Sequence, residues 1–70
     1  FDNEPRNREI VARISKVIDR GDKVVIWPKN IQQKDINDMH LAGHDVQTLV
    51  ESNIYQGLTA TLKFNDWKKV

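Results

Sequence analysis

Lys23-Val24-Val25-Ile26-Trp27-Pro28 is the stretch on which the fold turns. It is a short unbroken apolar run closed by a proline, and that pattern predicts a strand buried on both faces, the kind found in parallel sheets. Upstream of it, Ile10, Val11, Ile14, Val17 and Ile18 recur at helical spacing, with Arg6, Arg8, Arg13, Lys16 and Arg20 as the polar residues between and before them. Pro5 suits the first turn of such a helix and Gly21 a left-handed cap after its end, so the predicted helix covers residues 5–20. An extended entry at Phe1, this helix and the buried strand make a right-handed βαβ unit whose first strand lies mostly upstream of Phe1. The expectation is the later part of a larger α/β domain, with parallel strands joined by an amphipathic crossover helix.

Downstream, the chain turns polar from Lys29 to Lys34. Asp35 can then cap a short helix carrying Ile36, Met39 and Ala42 and closed by Gly43. Asp45 can cap another, with Val46, Leu49 and Val50 on one face, ending near Asn53. In the tail, Leu58, Ala60, Leu62 and Phe64 alternate with Thr59, Thr61 and Lys63, which favours a strand, with a helix as the other reading. No internal repeat or low-complexity stretch divides the chain.

Eleven basic and ten acidic side chains give the 70 residues a net charge of +1, which points neither toward nor away from a nucleic-acid partner. Without cysteine there is no disulfide and no thiolate metal site, a composition that fits a reducing cytosol. The longest run of large apolar residues, 24–27, falls far short of the roughly 20 that a membrane helix needs, so no membrane partner is expected.

Two acidic clusters follow the predicted strands, where open α/β sheets bind their ligands. Asp2-Asn3-Glu4 precedes the first helix, and Asp35-Ile36-Asn37-Asp38 follows the residue 24–27 strand. Carboxylates one residue apart can turn to one side and serve a hard cation such as Mg²⁺, which leaves its other positions to water and phosphate. Helix capping and the macrodipole account for the same acids without a metal. Lys34, Arg6 and Arg8 lie where they could meet phosphate oxygens, while a solvated surface is the simpler account of them. His40 and His44 share a helical spacing, but Gly43 interrupts it and no third ligand is evident, so they read as ordinary polar residues. Trp27, Tyr55, Phe64 and Trp67 could stack on bases; for Trp27, core packing is the simpler account.

Taken in order, Phe1-Asp2-Asn3-Glu4 before a helix, a buried strand ending in Trp27-Pro28, and Lys34-Asp35-Ile36-Asn37-Asp38-Met39 resemble the latter half of the Toprim domain of DnaG-type DNA primases, most nearly those of T-even-like bacteriophages. The resemblance implies a partial Toprim (Rossmann-like) fold followed by short C-terminal helices. Residues 1–43 would be the C-terminal half of a Toprim-like domain, and residues 44–70 a C-terminal extension of it. In that family an Asp-x-Asp after one strand and a Lys/Glu-Asp-x-Asp after the next hold the divalent ions that assist joining of ribonucleotides on a single-stranded template. By position this points to Asp2 and Glu4, and to Asp35 with Asn37 or Asp38, as ligands of Mg²⁺ or Mn²⁺. Glu4 stands where the family usually has Asp, Arg6 and Asn7 replace small residues, and Asn37 occupies the place of the later Asp. The family's upstream glutamate and its zinc- and template-binding parts have no counterpart in these residues.

The resemblance thus implies a primase fragment, inactive alone, which lends metal-binding carboxylates to RNA primer synthesis. Its partners through the parent enzyme would be single-stranded DNA, ribonucleoside triphosphates and a replicative helicase, in the cytoplasm of a phage host. The rival expectations are a Toprim nuclease or topoisomerase fragment, and a non-catalytic interaction module of a phage replication protein.

Overall fold

The structure, a computed structural model, describes all 70 residues, Phe1–Val70. Its centre is the predicted buried strand, of which Val24–Val25 form β1. Alternate residues of residues 24–27 enter two different apolar clusters, as the two-residue period of a strand requires. Val24 and Ile26 join Ile14 and Ile18 of α1 (Arg8–Asp19) and Ala60, Phe64 and Trp67 of α4 (Gly57–Trp67). Trp27 joins Ile31 and Met39, the latter on α2 (Ile36–Leu41), with Val25 and residues of α3 (Val46–Ser52) packed against them. Double-sided burial is therefore what the unbroken apolar run encodes.

The α/β character holds, with four helices and a two-stranded sheet. Within the chain, however, the sheet is antiparallel rather than parallel: β1 pairs with β2 (Ile54–Tyr55), Val24 opposite Tyr55 and Val25 opposite Ile54. The reason is local. The turn after α3 sends the chain back along β1, and Ile26 N–H donates to the Asn53 carbonyl at 3.0 Å, extending that ladder by one bond. Phe1 and Asp2 lie outside any ladder, so no strand enters at Phe1 within these residues.

The tail corrects the favoured strand reading. Residues 57–67 are helical, and the apparent alternation splits across the helix: Ala60, Phe64 and Trp67, spaced four and three apart, face the core, while Leu58 and Leu62 are 75% and 61% exposed. A strand would have put Leu58, Ala60, Leu62 and Phe64 on a single face. The first helix is also shorter than expected. Asn7 caps it, its side-chain oxygen accepting from the Glu9 and Ile10 amides, and Pro5 stays in the turn before.

The helix ends follow the sequence closely. Gly21 and Gly43 have φ of 82° and 91°, and each sits just beyond a helix end in the doubly bonded arrangement that a left-handed residue permits. After α1, Asp22 and Gly21 N–H donate to the carbonyls of Val17 and Ile18; after α2, His44 and Gly43 donate to those of Met39 and His40. Asp35 and Asp45 cap α2 and α3 as expected, accepting from the Asp38 and Thr48 amides.

Asp45 also accepts from the Thr48 hydroxyl at 2.8 Å, and this bond, followed by the Thr48 amide, lowers its pKa from the ordinary 3.8. A carboxylate with a depressed folded-state pKa contributes stability that is complete above the unfolded value and lost as pH falls through the folded one. Acid titration should therefore loosen the start of α3 only below about pH 3.8, read as faster amide exchange at Thr48. Asp45→Asn, which caps without titrating, should flatten that dependence; an unchanged pH profile in the variant would assign the loosening to another group.

Candidate functional site

The two acidic clusters lie on segments that the structure joins. Asn3 N–H donates to the Lys34 carbonyl, so the residues flanking Asn3 run beside those flanking Lys34. The Asn3 side chain is buried and uses its amide completely: Nδ2 donates to the carbonyls of Ile31 (2.8 Å) and Gln33 (3.1 Å), and Oδ1 accepts from Trp67 Nε1 (2.9 Å). The residues two places either side are held as well. Trp27 Nε1 donates to the Phe1 carbonyl at 2.9 Å, and Lys69 N–H donates to the Pro5 carbonyl at 2.8 Å. Residues 1, 3 and 5 are thus anchored inward, and the acids at 2 and 4 stand between anchors. Asp2 is exposed and Glu4 half-buried.

On the other segment Asp35 is half-buried, with Oδ1 accepting from the Asp38 amide, while Asp38 and Asn37 are exposed on α2. Capping is therefore a role Asp35 has in any case, and one carboxylate oxygen remains outside that bond. Arg6, Arg8 and Lys34 are exposed and belong to none of the three ion pairs of the chain, Arg13–Glu9, Arg20–Asp22 and Lys29–Asp66. His44 Nε2 lies 3.2 Å from Gln33 Oε1, and His40 is exposed.

Hard oxygen donors suit Mg²⁺, which is commonly held by one or two protein carboxylates with phosphate and water filling the rest. The chain offers that much, but gathers no group of three or more carboxylates or imidazoles around one point. Nor do the acids line a cavity. A cleft of about 410 Å³ is walled by Asn3, Pro5, Lys29, Asp66, Trp67 and Lys69, and a second of about 270 Å³ shares Lys29, Asp66 and Trp67 with it. Asp2, Glu4, Asp35 and Asp38 border neither.

No family model matches the chain. The DNA primase of Enterobacteria phage T4 does: 32% identity over 75 aligned positions, taking in all of this chain and 22% of the primase. This chain is similar to a segment of a phage DNA primase. It spans about a fifth of that primase's length, and the similar stretch includes the tail as well as the motif-bearing residues. The phage-primase resemblance read from the motifs is borne out at that level. No helix is long and apolar enough to cross a membrane.

The sequence offers Trp67 as a stacking side chain and gives no role to Asn3 or Lys69, whereas the structure spends the Trp67 indole on Asn3. The signal available was indirect: a buried tryptophan needs an acceptor for its indole N–H, and an asparagine beside two acids is a plausible turn residue until its burial is known.

Proposed function

We propose that these residues serve as a segment of a DNA primase, in which Asp2 and Glu4 on one segment and Asp35 and Asp38 on the other contribute oxygen ligands to Mg²⁺ or Mn²⁺ at the primer-synthesising centre. The observation that carries the reading is the hydrogen bond from Asn3 to Lys34, which lays two acid-bearing segments side by side in a chain similar over its whole length to a phage DNA primase. In this reading the fold is the later part of a Toprim-like sheet. β1 pairs with β2 along one edge, and in this reading a parallel strand of the parent would pair along the other.

Asp2 and Asp35 would each lend one charge to the ion, and Arg6, Arg8 and Lys34, free of ion pairs, would meet triphosphate or template phosphates. Bound Mg²⁺ supplies charge neutralisation at the triphosphate and a lowered pKa at the attacking hydroxyl. No three of the chain's carboxylates and imidazoles gather around one point, so in this reading the other positions on the ion fall to phosphate, water and the rest of the parent. The similarity to a primase favours primer synthesis over the phosphodiester cleavage of a nuclease or topoisomerase.

Divalent titration of the chain, followed by ¹H–¹⁵N spectra, is expected to move the amides of Asp2, Glu4, Asp35 and Asp38 together with Mg²⁺ and to broaden them with Mn²⁺. Asp19 and Glu51 should stay still. Silence at the first four residues would remove the metal role and leave a non-catalytic interaction module, for which the exposed Leu41, Leu58 and Leu62 would be the natural contacts.

A further inference from the structure

We propose that the C-terminal end of α4 is a positioning device for the acidic segment at the opposite end of the chain, with Trp67 and Lys69 setting where Asp2 and Glu4 stand relative to Asp35. The inference rests on the metal-binding reading for its purpose, but its structural part stands independently. Trp67 and Asn3 are 64 positions apart in sequence, yet the indole N–H is spent on the Asn3 side-chain oxygen, both partners being buried. Two residues on, Lys69 N–H takes the Pro5 carbonyl. Glu4 is thereby bracketed by two residues that the C-terminus holds. On its other side Asp2 is bracketed by Asn3 and by Phe1, whose carbonyl is held by the second indole, Trp27 Nε1. The Asn3 amide meanwhile grips the Ile31 and Gln33 carbonyls on the segment leading to Asp35.

Indole donors suit this task because each has a single N–H in a rigid plane, fixed by packing against Phe64 in the case of Trp67. Removing the Trp67 bond frees Oδ1 and leaves Asn3 to rotate about its remaining contacts. Groups that orient metal ligands from outside the ligand shell typically govern metal affinity by 10–100-fold, so the tail has a stake in the site without touching the ion.

The test compares Trp67→Phe, which keeps the aromatic packing and deletes the N–H, with Ile14→Val, which perturbs the same core and removes neither the stacked Phe64 ring nor the Asn3 bond. Two quantities are read in the 70-residue chain: hydrogen exchange at the Asn3 amide and Mg²⁺ affinity from the spectral shifts at Asp2 and Asp35. Trp67→Phe is expected to accelerate Asn3 exchange at least about tenfold and to weaken Mg²⁺ binding by about tenfold, the lower end of the outer-group range. Ile14→Val should do neither beyond what its own loss of stability accounts for. Unchanged Asn3 exchange in Trp67→Phe, or equal effects from both variants, would overturn the positioning role. Accelerated exchange with no Mg²⁺-dependent shifts in the unsubstituted chain would instead defeat the metal reading and leave the clamp standing as a device of the fold alone.

Discussion

Asn3→Leu is expected to destabilise the chain by about 1–3 kcal/mol, a large fraction of the stability of so small a domain. The substitution keeps the branching of asparagine at Cγ in a larger side chain and deletes three hydrogen bonds at once. What matters is less the bonds lost than the partners abandoned. Trp67 Nε1 and the Ile31 carbonyl are left facing an apolar group, and a buried donor or acceptor without a partner costs about 1–3 kcal/mol. Against this stands a gain in apolar burial of about 1.5–3 kcal/mol at most for a leucine in that place, and its branched end would point at polar atoms. A domain of this size lies toward the low end of the usual 5–15 kcal/mol of stability, so the net loss is a large share of the total. Urea unfolding followed by circular dichroism measures it directly. A double-mutant cycle with Trp67→Phe should show strong coupling, because the second substitution removes the very donor that the first leaves stranded. A loss below about 0.5 kcal/mol, within the range of ordinary surface changes, would mean that solvent replaces these bonds and that residues 1–5 are not anchored as described.

How far the sequence goes toward this structure differs from element to element. Most of the caps were legible, Asn7 at the start of α1 being the exception. Asp35, Asp45, Gly21 and Gly43 act through their own side chain or backbone freedom on amides and carbonyls a few residues away, so local rules suffice. Double burial of residues 24–27 was legible for a related reason, since an apolar run with no polar alternation leaves no face for water. Strand pairing was not: which partner lies against β1 depends on the turn near Asn53, and two residues of β2 carry too little pattern to announce themselves. The tail misled because Leu58, Ala60, Leu62 and Phe64 satisfy a two-residue period by coincidence, and the decisive residue, Trp67, falls outside that window at helical spacing from Phe64. Of the candidate site, the acids were visible as types in a pattern. Their support was invisible because Asn3 bonds to residues 28 to 64 positions away, and nothing local distinguishes it from a turn asparagine.

Asp35→Asn should separate the two roles that Asp35 would hold. As an N-cap, asparagine is about as good as aspartate, because either offers the side-chain oxygen that the Asp38 amide requires. The fold of the chain and its urea midpoint should therefore stay close to those of the unsubstituted protein, with a change within about 0.5 kcal/mol. As a metal ligand, asparagine is a poor substitute: it keeps an oxygen and loses the charge that a hard divalent ion seeks. Even groups that merely orient metal ligands govern affinity or activity by 10–100-fold, so loss of a ligand charge in the full-length parent should lower primer synthesis by at least about 100-fold. Asp35→Ala makes the comparison complete, since it removes charge and cap together and adds about 1 kcal/mol of destabilisation. If Asp35→Asn makes primers normally while Asp35→Ala fails, then capping alone explains Asp35, and the reading in which Asp2 and Asp35 serve one ion falls. If both fail while only Asp35→Ala loses stability, the carboxylate charge is required for synthesis beyond its place in the helix.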